Sequence, residues 1–215
     1  MAFDAILFDN DGVLVDTEGL YFAANREALA AIGVTLTEDD YVELFLRTGQ
    51  GAWPVLHARG YDGPAIEAWR VGRNRRYEQL VGVIDVLVPG ARAAVLALSR
   101  RYRLAIVTSS EPQPFARTHA RTGLLPHFEL TLTREQYRQS KPDPEPYRVA
   151  VERLGLAPER CLVIEDSVRG LRAAKAAGLA CWVIPSALTR GLRFDGADAV
   201  LVDLAAMTAR LLAAG

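Results

Sequence analysis

From about residue 84 onward, short apolar runs alternate with helix-patterned stretches, and this alternation constrains the fold more than any other feature. The runs Arg103–Thr108, Glu129–Leu132, Cys161–Glu165, Ala180–Ile184 and Ala199–Val202 read as strands. Between them lie helical stretches at Ala91–Arg100, Gln113–Thr122, Pro146–Leu154, Val168–Ala177 and Leu204–Ala213. Strands that alternate with helices imply a parallel sheet with crossover helices on both faces. One more apolar run, Phe3–Asp9, stands apart from the rest. The stretch after it has helical spacing at Glu18–Ile32, Leu36–Leu46, Ala52–Ala58 and Ala65–Leu80, with no convincing strand from Asp16 to about Gly82. The expected architecture is therefore α/β, a Rossmann-like open parallel sheet with a helical domain inserted after its first strand. The core takes residues 1–15 and 84–215, and the insert 16–83.

The chain of 215 residues is long enough for one large core plus a small second domain. Its net charge of −1 gives no electrostatic reason to expect nucleic acid or an anionic membrane as partner. No apolar run approaches the length of a membrane span, and the N-terminus lacks a basic segment followed by an apolar stretch and a cleavage site. A cytoplasmic location and a monomer or weak dimer are expected. The two cysteines, Cys161 and Cys181, fall in strand-like runs and read as buried, inert thiols.

Ligands of open α/β sheets bind at the carboxyl ends of the strands. Those ends carry Asp9 and Asp11, then Thr108, Ser109 and Ser110, then Glu165 and Asp166. The segment "SKPDPEPY" adds Lys141. Several carboxylates share a small space only when a positive charge joins them, and a hard divalent cation such as Mg²⁺ fits oxygen donors. Asp9 and Asp166 suit that role, with Glu165 assisting and the Asp11 backbone carbonyl within reach. A carboxylate at the end of a rigid strand can attack phosphorus. Asp11 lies two residues on and can move the proton. Thr108 and Ser109 can hold phosphoryl oxygens, and Lys141 can neutralise charge on the transferring group. Arginine outnumbers lysine 23 to 2, so a lysine at 141 is informative: a generic cation in this chain would be an arginine.

Taken together, these residues resemble the four motifs of the haloacid dehalogenase superfamily. The motifs are Asp9-Asn10-Asp11-Gly12-Val13 with Asp16-Thr17 trailing, Thr108 after "LAIV", Lys141 in "SKPDPEPY", and Glu165-Asp166-Ser167. The helical insert looks like the alpha-helical cap of the beta-phosphoglucomutase and phosphoglycolate phosphatase branch. The resemblance implies a nucleophilic Asp9 and a general acid/base Asp11. It implies Mg²⁺ held by Asp9, the Asp11 carbonyl and Asp166 with Glu165 nearby, and phosphate held by Thr108, Ser109 and Lys141. The expected activity is that of a phosphatase acting on a small phosphorylated metabolite, a sugar phosphate or phosphoglycolate. A phosphomutase and a non-catalytic binding module are the alternatives. Tyr21 stands where mutases of this branch carry a histidine, which favours hydrolysis.

In the insert, "RVGRNRRY" reads either as an exposed basic helix face or, more sharply, as a place where Arg73 binds the distal part of an anionic substrate. Arg47 and Gln50 are further candidates for that task.

Overall fold

The computed structural model describes residues 3–81 and 86–213. The chain divides into two compact units, Met1–Asp16 with Val86–Gly215, and Thr17–Asp85. The expected return to the core at 83/84 lies outside the described residues.

Strand β1 (Ala5–Phe8) opens the first unit, and every residue in it is buried. The second unit follows with α1 (Glu18–Ala30), α2 (Glu38–Tyr41), a π-helix (Val42–Arg47), α3 (Trp53–Ala58) and α4 (Gly63–Val81). No strand occurs among the described residues of this unit. The single helix expected over Leu36–Leu46 is instead α2 running into the π-helix. Thr37 caps α2 by accepting the Asp40 N–H at 3.1 Å, while Asp40 accepts the Thr37 N–H at 3.2 Å. The π-helix closes with Thr48 N–H donating to the Glu43 carbonyl, five residues back.

The first unit resumes with α5 (Ala91–Leu98), β2 (Arg103–Val107), α6 (Pro112–His119), β3 (Leu130–Leu132), α7 (Glu145–Leu154), β4 (Cys161–Glu165), α8 (Val168–Ala176), β5 (Ala180–Val183), β6 (Ala199–Val200) and α9 (Leu204–Ala213). The six strands pair in parallel in the order β3-β2-β1-β4-β5-β6. The fold is thus the expected Rossmann-like α/β sheet. Several elements are shorter than the sequence pattern predicts. β1 stops at Phe8, although the Asp9 N–H still donates to the Ile164 carbonyl at 2.9 Å. α6 ends at His119, three residues before the expected Thr122.

Side chains alternate across the sheet. Ile6 and Phe8 join Leu104, Ile106, Leu162 and Ile164 on one face, packed with residues of α5 and α9. Ala5 and Leu7 join Ala105, Val107 and Val163 on the other, packed with residues of α7 and α8. Each fully buried Leu, Ile or Phe stabilises the fold by about 1.5–3 kcal/mol, so the central strands are firmly fixed. β1 lies between β2 and β4, where the strand order reverses direction, and ligands of open α/β sheets bind at the carboxyl ends there. Both cysteines are buried free thiols, and burial pushes the Cys161 thiol up to about 11. Among the described residues no helix is long and apolar enough to cross a membrane.

Candidate active site

Asp9 leaves β1 directly into a tight loop. The Asn10 carbonyl accepts the N–H groups of Val13, Leu14 and Val15 at 3.3, 2.8 and 3.1 Å. Gly12 makes this turn possible with φ of 88°. A Cβ on Gly12 would also lie 2.2 Å from Asp166 Oδ2, so the β1 loop and the end of β4 meet at a point with no room for a side chain. Carboxylate oxygens of Asp9, Glu165 and Asp166 lie within 4.8 Å of one another.

Lys141 reaches this cluster from the loop before α7. Its buried ammonium donates to Asp9 Oδ1 at 2.7 Å, to Glu165 Oε1 at 2.7 Å and to the Val107 carbonyl at 2.9 Å. An ammonium carries three N–H bonds, and all three are used. A guanidinium is larger and planar and does not match three acceptors arranged around one point. Glu165 is fully buried. Besides Lys141 it accepts the Tyr147 hydroxyl at 2.7 Å and the Ser167 hydroxyl at 2.9 Å. A Cβ on Gly170 would lie 1.8 Å from its Oε1, so this carboxylate rests against the first turn of α8. Ser167 caps that helix, accepting the Gly170 N–H at 3.0 Å.

These contacts set the charge states. Burial pushes the Asp9 carboxyl up to about 7, with Glu165 and Asp11 adding to the rise and Lys141 opposing it. Burial alone would raise Glu165, but the Lys141 ammonium outweighs it and holds the carboxyl below its ordinary value. Burial alone would lower Lys141, but Asp9 and Glu165 raise it above the ordinary lysine value. The oxygen-only donor set, and a carboxyl left uneasy by its acidic neighbours, fit a hard divalent cation such as Mg²⁺.

The end of β2 forms the other wall. The Asp11 Oδ2 oxygen accepts the Ser110 hydroxyl at 2.8 Å and the Asn10 amide at 3.2 Å, with the Thr108 hydroxyl at 3.5 Å. Thr108 is buried, accepts the Ser110 N–H at 3.0 Å, and has its carbonyl held by the Tyr137 hydroxyl at 2.8 Å. The Ser109 hydroxyl is buried without a hydrogen-bond partner among the described residues, a polar position beside Thr108.

The structure thus gathers Asp9, Asp11, Thr108, Ser109, Lys141, Glu165 and Asp166 at adjacent strand ends. Asn10, Tyr147 and Ser167 stand inside the motifs without a role read from the sequence, and His119 and the bond from Ser110 to Asp11 are not signalled by them. Tyr147 closes the "SKPDPEPY" segment, and that position was a usable signal.

The insert residues are dispersed within their own unit. Arg73 is buried rather than part of an exposed basic face. Its guanidinium donates to the Tyr21 hydroxyl, to Asn25 Oδ1 at 3.1 Å and to Asn74 Oδ1 at 2.9 Å, and lies 4.6 Å from the Tyr21 ring centroid. Among its neighbours Arg70 is half-buried and Arg75 and Arg76 are exposed; Arg70 pairs with Glu67 at 2.9 Å and Arg76 with Glu27 at 2.7 Å. Arg47 pairs with Glu43 at 2.9 Å on an exposed turn, and Gln50 is exposed.

A parallel sheet of this order with acids and a lysine at its carboxyl edge defines a hydrolase-type α/β site. Residues 3–178 match the family model for haloacid dehalogenase-like hydrolases, and the chain belongs to that family. It is 35% identical over 213 residues to the protein CbbY of Cereibacter sphaeroides, covering 94% of this chain and 93% of that one. It is 34% identical over 180 residues to the phosphorylated carbohydrates phosphatase of Thermotoga maritima, covering 82% of each. The crystal structure of a CbbY variant from Rhodobacter sphaeroides in complex with xylulose-(1,5)bisphosphate superposes with a TM-score of 0.81. It has 31% identity and covers 94% of this chain and 95% of that one.

Proposed function

We propose that this hydrolase is a Mg²⁺-dependent phosphatase that releases phosphate from a small phosphorylated carbohydrate through an aspartyl-phosphate intermediate. The observation that carries the reading is the placement of Lys141 between Asp9 and Glu165, with Asp166 beside them, at the β1/β4 edge. The name of the Thermotoga maritima relative and the bisphosphate in the solved complex support the substrate class.

In this reading Asp9 attacks phosphorus, and the bond from phosphorus to the substrate oxygen breaks. Asp11 gives its proton to the departing oxygen. It then takes a proton from water, which attacks phosphorus and frees Asp9 and inorganic phosphate. Lys141 holds Asp9 in line and offsets negative charge that grows on the phosphoryl group. The Thr108 hydroxyl and the Ser109 N–H and hydroxyl hold phosphoryl oxygens. Asp9, Asp166 and the Asp11 carbonyl would hold Mg²⁺, with Glu165 anchoring Lys141 beside them. The ion supplies charge neutralisation that lets an anionic nucleophile approach an anionic phosphate. Tyr21, hydrogen-bonded to Arg73 and raised above its ordinary pKa by burial, offers no ready base for the second transfer of a mutase. Cytoplasmic location and action on a freely diffusing metabolite complete the reading.

Purified protein with Mg²⁺ is assayed against glucose 6-phosphate, fructose 6-phosphate, ribulose 5-phosphate, xylulose 1,5-bisphosphate and phosphoglycolate. Phosphate release from the sugar phosphates, absent in Asp9→Asn and after chelation, is the expected result. No release from any of them, or release that survives Asp9→Asn, overturns the reading.

A further inference from the structure

We infer that His119 is a positioning residue for this hydrolase, acting through Asn10 to hold the Asp11 carboxylate in its working orientation. The inference rests on the phosphatase reading for Asp11's role. His119 ends α6, the helix that packs Phe115 into the sheet's core, and it is buried 109 residues away from Asn10 in sequence.

The hydrogen bonds fix one arrangement. In the step where Asp11 acts as a base its carboxylate only accepts, and the Asn10 amide turns its NH₂ toward Asp11 Oδ2 at 3.2 Å. That leaves Asn10 Oδ1 facing His119 Nε2 at 2.7 Å. An amide oxygen only accepts, so Nε2 carries the proton. Burial pulls the imidazole pKa down to about 4, so near neutral pH the ring has a single N–H. Nδ1 is then an acceptor for the Thr122 hydroxyl at 3.0 Å, a hydroxyl that also faces the His119 carbonyl at 3.2 Å. Thr122 itself accepts the Leu124 N–H at 3.3 Å, which ties the chain of bonds to the backbone after α6. The chain of bonds therefore runs Thr122, His119, Asn10, Asp11, with Nε2 as the donor to Asn10 Oδ1. It ends on the oxygen that also accepts the Ser110 hydroxyl at 2.8 Å. Asn10 approaches this oxygen from the β1 loop, and Ser110 and, at 3.5 Å, Thr108 from the end of β2, and the orientation of the carboxylate follows.

A misplaced acid hurts most where the leaving group needs a proton. The probes are p-nitrophenyl phosphate, whose aryl oxide departs unprotonated, and the best alkyl substrate of the panel above. The variants are His119→Leu, which keeps the volume and loses the donor, and His119→Gln, which keeps an N–H. His119→Leu is expected to lower kcat/KM on the alkyl phosphate by about 10- to 100-fold and on the aryl phosphate by less than about 3-fold. His119→Gln is expected to restore most of the alkyl activity. Equal losses on both substrates, no loss, or no recovery with Gln overturn the inference.

Should His119→Leu fail to fold, Asn10→Leu cuts the relay at its other end and is expected to give the same split. Nitrogen NMR of the wild-type imidazole adds an arm that needs no variant. A proton on Nε2 supports the relay, and a proton on Nδ1 overturns it. Wild type that hydrolyses neither probe overturns the phosphatase reading instead, and the tautomer then reports on the relay alone.

Discussion

The Lys141 ammonium and the Glu165 carboxylate form a 2.7 Å ion pair in which neither side chain is meaningfully exposed. Glu165 in turn holds the Tyr147 hydroxyl. A buried pair of this kind is costly to break, because Lys141 loses one of its two buried carboxylate partners and keeps only Asp9, while Tyr147 loses its acceptor. Glu165→Ala is expected to lower stability by about 3–5 kcal/mol in denaturant titrations. Lys141→Arg is expected to lose at least about 100-fold in kcat even where the protein folds, since the three acceptors suit an ammonium. Near wild-type turnover in Lys141→Arg would show that only charge matters at this position.

Gly12 is constrained twice, by its φ of 88° and by Asp166 at 2.2 Å from a would-be Cβ. Gly12→Ala must push Asp166 aside. It is expected to cost about 1–3 kcal/mol of stability and to weaken Mg²⁺ binding. Gly191→Ala, where a Cβ meets nothing within 4 Å, serves as control and should change stability by less than about 1 kcal/mol. Mg²⁺ titration of both variants by calorimetry separates the effects, and equal affinities would contradict the close approach.

Metal binding should be linked to protons. The Asp9 carboxyl, pushed up to about 7 chiefly by burial, is largely protonated below that pH, and a cation must displace the proton. Mg²⁺ affinity is therefore expected to fall roughly tenfold between pH 8 and pH 6. Calorimetry in buffers of different ionisation enthalpy should show proton release at pH 6 and little at pH 8. An affinity flat across this range would contradict the charge state assigned to Asp9.

His119 sets an acid limit on stability. Its folded-state pKa of about 4 lies below the ordinary 6.5, chiefly through burial. Between these values the unfolded chain binds a proton that the folded protein does not, so stability rises with pH across the window and is lost as pH falls through it. The full effect is at most about 3 kcal/mol. Thermal melts of wild type from pH 7 to pH 4 should show this slope, and His119→Gln should flatten it. Parallel slopes for the two proteins would place the acid sensitivity elsewhere.

The sheet was legible because its strands are buried on both faces and stand out as continuous apolar runs. β4 spans Cys161–Glu165, as its pattern predicts. Residues at the strand ends were legible for the same reason: the strands aim them, and their acidic and hydroxyl chemistry is unusual beside apolar runs. The insert was harder to read. Apolar spacing does not separate an α-helix from the π-helix at Val42–Arg47, because the two differ in hydrogen bonding rather than in composition. In α4 the one buried residue is Arg73, so its inward face carries no apolar signature. The role of Asn10 within the first motif, and His119 altogether, were illegible because a polar pair in a core is announced only by the partner it meets. That partner lies on the far side of the sequence.

In the proposed reaction Asp9 carries the phosphoryl group. Protein mixed with its best alkyl phosphate and Mg²⁺ is quenched in acid within milliseconds, digested, and its peptides read by mass spectrometry. A phosphoryl adduct on Asp9, absent from Asp9→Asn, is the predicted result. Phosphate release with no adduct at any quench time, or with the adduct on another residue, would contradict the claim.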